Sequence, residues 1–216
     1  MNSETFPIVE IFFSIQGEGR YAGTPSLFIR LAKCNRKCEF CDTEIEKIQK
    51  TYSLEEMIEE LRKYSGINII WTGGETILHW ESIKALYELG IKISDWHIET
   101  NGDLINKKVS LDELAQVFDY IVISPKCLET AKRIHNLLVE DGELDKNRFE
   151  IKVVTDLNTI NMDLIKYATS LMPLTSKNIE QNQQIRQKVV KYCIENNIRY
   201  TDRLQVILWG FKTKGV

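Results

Sequence analysis

Three of the chain's five cysteines fall within eight residues, as Cys34, Cys38 and Cys41 in the run C-N-R-K-C-E-F-C. Thiolates that close together, with no second cysteine pair elsewhere, suit a soft metal centre. A zinc site completed by a distant His or Cys is one reading, although such sites usually draw paired ligands from two segments. The other is a cubane iron-sulfur cluster, in which three irons take thiolates and the fourth keeps a position open for a cofactor. Lys33, Arg36 and Lys37 flank the thiolates and offset the negative charge of such a cluster, and a solvated loop accounts for the same residues. Cys127 and Cys193 stand alone in helix-like contexts and read as small buried hydrophobes.

Other polar groups recur after short apolar runs. Thr72-Gly73-Gly74-Glu75 follows Ile67 to Trp71, and two adjacent glycines let backbone amides approach a ligand closely, with an ordinary turn as the alternative. Glu99-Thr100-Asn101-Gly102 and Ser124-Pro125-Lys126 stand where parallel strands should finish, which is where active sites of α/β proteins collect. Ser124 offers a hydroxyl and Lys126 a charge, although Ser-Pro is also common turn chemistry. Met172-Pro173 closes a later strand and either lines a pocket or merely ends the strand. Upstream, Ser14-Ile15-Gln16-Gly17-Glu18-Gly19-Arg20 combines permissive glycines with an amide able to pair with a heterocycle edge, against the reading of a solvated turn. Arg30, at the end of the strand before the cysteines, has the planar fork that holds a carboxylate. His79, His97 and His135 read as loop, strand-edge and helix-surface residues.

The elements that position these groups follow from periodicity. Ser26 to Leu31 reads as a strand feeding the cysteine loop, and residues 53–63 as a helix capped by Ser53 with Glu56. A strand at 67–71 and a helix over 80–89, stopped by Gly90, come next. Further strands are predicted near 93–99, 119–124, 149–154, 170–174 and 204–209, and helices near 111–117, 129–140, 160–169 and 178–194. Residues 139–147 read as a solvated loop. The alternation implies an α/β fold with a mainly parallel sheet, and about six βα units fit an open, partial barrel better than a closed one of eight.

The 216 residues, 43% of them hydrophobic, contain no linker or repeat and are expected to form one domain over 1–216. A net charge of 28 − 31 = −3 gives no general reason to bind nucleic acid or an anionic membrane. No apolar run is long enough to span a bilayer, and the opening MNSETFPIVE has no basic residue ahead of its apolar stretch, so a cytoplasmic location is expected.

The cysteine spacing, with Phe40 just before the last thiol, resembles that of the radical S-adenosylmethionine (SAM) enzymes. Over nearly the full length, the ordered set of Ser14 to Gly19, Arg30, the cysteine loop running into Asp42-Thr43, Thr72 to Glu75, Glu99 to Gly102, Ser124 to Lys126 and Pro173 resembles the 7-carboxy-7-deazaguanine synthase family. The resemblance implies a shortened, modified radical SAM barrel, a homodimer, one [4Fe-4S] cluster, SAM and Mg²⁺. Cys34, Cys38 and Cys41 would carry the cluster and Thr43 the Mg²⁺. Phe40, Gly73, Gly74, Glu75, Glu99, Asn101, Ser124, Lys126 and Met172 would surround SAM. Ile15, Gln16, Gly17, Glu18, Arg30, Thr72 and Pro173 would hold the substrate, 6-carboxy-5,6,7,8-tetrahydropterin, for conversion to 7-carboxy-7-deazaguanine and ammonia. A flavodoxin-like or other electron donor would be needed. The chain departs from the family pattern at Thr76, where Pro is usual, and in Arg203 to Gly210, which lacks the usual histidine. A small radical SAM activase working on a polypeptide, or another heterocycle-modifying enzyme, is the competing enzymatic reading, and the Ser14 to Gly19 and Asp42-Thr43 motifs favour the small molecule. A zinc-stabilised structural or RNA-binding module is disfavoured by the mild acidity and the missing second thiol pair.

Overall fold

The computed structural model describes residues 4–39, 41, 44–140, 145–176 and 178–210. A long strand, β1 (Thr5–Ile15), pairs antiparallel with β2 (Pro25–Leu31) on one side and β3 (Lys50–Ser53) on the other. From β2 the ladder continues in parallel through β4 (Asn68–Gly73), β5 (Trp96–Thr100), β6 (Tyr120–Ile123), β7 (Phe149–Thr155), β8 (Ser170–Pro173) and the short β9 (Arg199–Tyr200). Helices α1 (Leu54–Arg62), α2 (Trp80–Glu88), α3 (Leu111–Val117), α4 (Leu128–Glu140) and α5 (Ile179–Asn196) fill the crossovers, and α6 (Leu204–Trp209) follows β9. Capping boxes at Ser53/Glu56 and Ser110/Glu113 start α1 and α3.

The spatial order β3-β1-β2-β4-β5-β6-β7-β8-β9 keeps the parallel strands in chain order. Parallel crossovers are right-handed, so strands in chain order carry all their connecting helices on one face. That face holds the core: Leu27, Ile29, Ile69, Trp71, Trp96, Ile98, Ile121, Ile151 and Val153 pack with Met57, Leu61, Ile83, Leu114 and Ile134 from the helices. Each such fully buried side chain contributes about 1.5–3 kcal/mol. The order is linear, with β3 and β9 at its ends, which matches the expected open barrel.

Alternation along each strand turns Arg30, Thr72, His97, Glu99, Tyr120, Glu150, Lys152, Ser170 and Met172 to the opposite face. This face carries the buried charges of the sheet among apolar residues such as Ile70 and Val122, and is covered by residues 16–21 and 201–205, which reach Glu150, Lys152 and Tyr120.

Several expectations are corrected. Residues 204–209 form α6, because Arg199–Tyr200 takes the slot beside β8 and Leu204 N donates to Gly17 O at 2.9 Å, turning the chain across the sheet. The helix expected over 160–169 is a single 3₁₀ stretch, Met162–Tyr167, entered through Asn161 in the left-handed region at φ 55°. β1 and β3 add an antiparallel edge, and α4 runs to Glu140, into the expected loop.

Candidate active site

The cysteine loop leaves the end of β2 and is docked by the end of β4. Gly74 N donates to Leu31 O at 3.0 Å and Glu75 N to Lys33 O at 2.9 Å. A Cβ on Gly73, whose φ is +128°, would strike the backbone of Leu31, and one on Gly74 would strike Lys33 O. The adjacent glycines therefore admit the loop's own backbone. His79 Nε2 lies 2.7 Å from Ala32 O, pinning the residue two before Cys34.

A second clamp grips the loop between its first two thiols. Arg36 donates from Nε and Nη2 to the two carboxylate oxygens of Asp103, the second bond at 2.8 Å, and Asn35 Nδ2 donates to Asp103 Oδ2 at 3.2 Å. Thr130 Oγ1 donates to Asp103 Oδ1 at 2.7 Å, and Asn101 Nδ2 donates to Asn35 Oδ1 at 2.8 Å. Arg36 N donates to Cys34 Sγ at 3.4 Å. Burial, joined by Glu75, Cys38 and Cys41, raises the Cys34 thiol, which a bound metal cation would reverse. Among the described residues no three His, Cys, Asp or Glu side chains close into a metal-ligand geometry. Phe40 and Thr43 lie outside the described residues.

Cys193 is buried, as expected, and burial pushes its thiol up to about 11. Cys127 differs from expectation. It is half-buried beside the clamp, with Arg36 Nη2 3.1 Å from its sulfur and Thr130 Oγ1 at 3.4 Å, so it sits among polar groups. These partners outweigh burial and lower its thiol. His97 also differs: it is 2% exposed, on the interior face between Tyr21 at 4.4 Å and Tyr120 at 5.6 Å between ring centroids. His135 packs on Tyr167.

At the ends of β4 and β5, Glu75 is fully buried. Its Oε1 accepts from Thr100 Oγ1 at 2.6 Å and Ile77 N at 3.0 Å, and its Oε2 from Asn101 N at 2.8 Å. Burial raises this carboxyl despite the three donors. Thr76 Oγ1 donates to Glu99 O at 3.0 Å, so this hydroxyl ties the two strand ends together.

Glu99 faces the barrel interior and shares Lys152 with Glu18. Lys152 Nζ is 2.7 Å from Glu18 Oε2 and 2.9 Å from Glu99 Oε2. Glu18 Oε1 accepts from Gln205 Nε2 at 3.0 Å and lies 3.4 Å from Arg203 Nε. Burial opposes ionisation of Glu18, but Lys152 and Arg203 outweigh it and hold the carboxyl at about 2. For Glu99 burial wins over Lys152, and the charge of Glu18 adds to it, raising the carboxyl to about 7. Lys126 Nζ donates to Ser124 Oγ at 2.9 Å, and burial with the nearby Lys152 lowers its ammonium.

Gln16 lies in a turn that is buried rather than solvated: its N donates to Thr24 O at 2.8 Å and its Oε1 accepts from Glu18 N at 3.2 Å. Gly17 packs directly against the Gln205 side chain, and Gly19 N donates to Thr201 Oγ1 at 2.6 Å. Arg30 and Thr72 are register partners on the interior face. Arg30 is 3.3 Å from Glu10 of β1 and lies over Phe12. Met172 and Pro173 end β8, both buried, with Met172 beside Val154. Below this level Glu150 accepts from Tyr120 Oη and Ser170 Oγ.

The interior face thus brings together Glu18, Glu99 and Lys152, with Ser124 and Lys126 beyond β6. The cysteine loop, Glu75 and Asn101 form a neighbouring set. Sequence reasoning missed Asp103, Glu150 and Lys152, and singled out Arg203 and Gln205 only as part of an expected final strand. The signal for Glu150 and Lys152 was present, since F-E-I-K-V-V-T alternates charge with apolar residues, as a strand with one polar face must.

The radical SAM superfamily pattern matches residues 28–143. Over 94% of its length the chain is 31% identical to the 7-carboxy-7-deazaguanine synthase of Halobacterium salinarum, covering 90% of that relative. It is 27% identical to the synthase of Hyperthermus butylicus, over 93% of this chain and 92% of the relative. Identity reaches 43% with the Haemophilus influenzae synthase over 59% of this chain and 56% of that one. Among solved structures it is similar to QueE from Escherichia coli, with TM-score 0.53, 20% identity and coverage of 92% and 93%. The fold is also like that of anSMEcpe with bound AdoMet, with TM-score 0.55, 19% identity and coverage of 85% and 63%. The chain belongs to the 7-carboxy-7-deazaguanine synthase family of the radical SAM superfamily.

Proposed function

We propose that the chain makes 7-carboxy-7-deazaguanine and ammonia from 6-carboxy-5,6,7,8-tetrahydropterin, using a [4Fe-4S] cluster, SAM and Mg²⁺. The superfamily implies the cluster and SAM. The donor set fits the cluster: three soft thiols share one loop, and the soft-donor count leaves one iron position for SAM. When bound, the cluster and SAM supply the radical that takes a hydrogen from the substrate, and Mg²⁺ supplies a hard cation for carboxylate and ring nitrogen.

The chain's own contribution is orientation and exclusion of water. Cys34, Cys38 and Cys41 hold the cluster, and Thr43 is assigned to Mg²⁺. Asn101, Ser124, Lys126, Glu99 and Met172, with Phe40 and the Gly73 to Glu75 segment, are assigned to SAM. Glu75 does so indirectly, since it is fully buried with its oxygens turned to Thr100, Ile77 and Asn101. Ile15, Gln16, Gly17, Glu18, Thr72 and Pro173 are assigned to the pterin. Arg30 is assigned to its carboxylate, and Glu10 holds that guanidinium in place meanwhile. The observation that carries this reading is the position of residues 16–18, which cross the polar barrel face and meet Lys152 at the level of Glu99. That is where a small heterocycle would lie beside SAM. An external electron donor of flavodoxin type, a homodimer and a cytoplasmic location belong to the same proposal. Among the described residues no helix is long and apolar enough to cross a membrane.

The test is an anaerobic assay of the reconstituted protein with SAM, Mg²⁺, reductant and the carboxylated tetrahydropterin, following 5′-deoxyadenosine and the deazapurine by mass spectrometry. Both should form. Deoxyadenosine alone would overturn the substrate. Cys34→Ala should abolish turnover together with the cluster, whereas Thr43→Ala should keep the cluster and lose Mg²⁺-dependent product.

A further inference from the structure

We infer that Lys152 is a positioning residue that couples pterin binding at Glu18 to SAM binding at Glu99. The inference rests on the proposed roles of those two glutamates. Lys152 is 4% exposed at its side chain, and its ammonium donates to carboxylates from two distant parts of the chain: Glu18 before β2 and Glu99 at the end of β5. The groups facing it are these two carboxylates, with Lys126 nearby and Arg203 on the far oxygen of Glu18. Two carboxylates that are at most 20% exposed repel each other, and the shared ammonium is what permits both to face one cavity.

The direction of coupling follows from this competition. Unliganded, Glu18 has Lys152 at 2.7 Å with Gln205 and Arg203 on its other oxygen, whereas the charge of Glu99 is met by Lys152 at 2.9 Å, and burial makes Glu99 the harder of the two to ionise. Pterin N–H donors on Glu18 would offset its charge and release Lys152 toward Glu99. Glu99 then becomes an ionised acceptor for a hydroxyl of SAM. SAM should therefore bind more tightly when pterin is present, and by linkage pterin more tightly when SAM is present.

The experiment is a calorimetric titration of SAM into the reconstituted holoprotein with its cluster oxidised and no reductant, so that no turnover occurs. It is run with and without saturating 6-carboxytetrahydropterin. The wild type should bind SAM about fivefold or more tightly with pterin, the lower end of typical coupling. Lys152→Met should bring that ratio below about twofold, and Lys152→Arg should restore it. If Lys152→Met does not fold, Glu99→Gln, which keeps the shape and leaves Lys152 paired with Glu18, must flatten the ratio by itself. A Lys152 that merely stabilises the fold would lower the melting temperature and both affinities and leave their ratio intact, which overturns the inference. So does a wild type that binds pterin with a ratio of one. A wild type that does not bind pterin at all removes the functional reading itself, and the coupling with it.

Discussion

Gly74→Ala isolates what the end of β4 does for the cysteine loop. The added methyl would strike Lys33 O and lie 3.1 Å from Cys34 N, both backbone atoms that no rotamer change can move. Gly74 is outside the left-handed region, so alanine brings no conformational penalty of its own there. The loop must retreat, stretching the bonds Gly74 N to Leu31 O and Glu75 N to Lys33 O. Overpacking of this kind costs ~1–3 kcal/mol, and a weakened hydrogen bond adds about 1 kcal/mol. Together that is about 2–4 kcal/mol, or a melting temperature lower by roughly 4–16 °C in a chain of this size. Because the displaced segment carries Cys34, iron retained after reconstitution should fall as well. Gly90→Ala is the control: its methyl meets nothing within 4 Å, while its φ of +71° imposes strain alone. That variant should melt lower and keep its iron. Thermal melts and iron and sulfide analysis, performed anaerobically on both variants, decide the matter. Gly74→Ala with wild-type melting and wild-type iron would refute the docking argument.

Asp103→Ala removes the acceptor of Arg36, Asn35 and Thr130, and should cost roughly 1–3 kcal/mol and lower iron occupancy by freeing the loop between Cys34 and Cys38. Cys127→Ala should keep the iron; loss on the scale of Cys34→Ala would mean that the fourth thiol is a ligand after all. Glu99 predicts a pH limb. Its folded carboxyl is raised from 4.5 to about 7, so the penalty of ionising it is absent below about pH 4.5 and complete above about pH 7. Glu99's own contribution to stability should therefore fall as pH rises through that window. Burial lowers the His79 and His97 imidazoles, which works the other way over the same range, so the Glu99 share is read as a difference: from pH 5 to 8 the melting temperature of the wild-type holoprotein should drop relative to that of Glu99→Gln, and a constant difference would refute it.

The parts of the fold legible in the sequence are those with local causes. Apolar runs punctuated by Ser, Gly and Pro marked β2, β4 and α1, because caps and turns are written in a few adjacent residues. β1 was hidden: its register slips between Ile8 and Glu10, and Phe12 and Phe13 stand side by side, so the two-residue alternation is lost. α6 was misread because six residues of L-Q-V-I-L-W fit a strand or a helix equally, and only the slot already filled by β9 decides between them. The cysteine triplet was legible because its chemistry lies in short spacing. The glycines beside Glu75 were legible as a type, while their reason, backbone against backbone, needed β2 and β4 to be neighbours. Lys152 was visible as a charge, but its partners lie 134 and 53 residues away and are fixed by strand order.

Strand order also explains where residues 201–209 lie. With all crossover helices on one face, the polar face must be satisfied by segments outside the βα units, and among the described residues those before β2 and after β9 serve. They are joined directly, by Leu204 N to Gly17 O and by Gln205 packed on Gly17. A strand over 204–209 would have pointed alternate residues away from this face. A helix crossing it delivers Gln205, with Arg203 just ahead, to the same carboxylate oxygen of Glu18. An amide and a guanidinium thus act on one oxygen of Glu18, whose other oxygen belongs to Lys152. Any change at Arg203 or Gln205 should then be felt first at Glu18, the proposed pterin end, and, only by way of Lys152, at Glu99, the proposed SAM end.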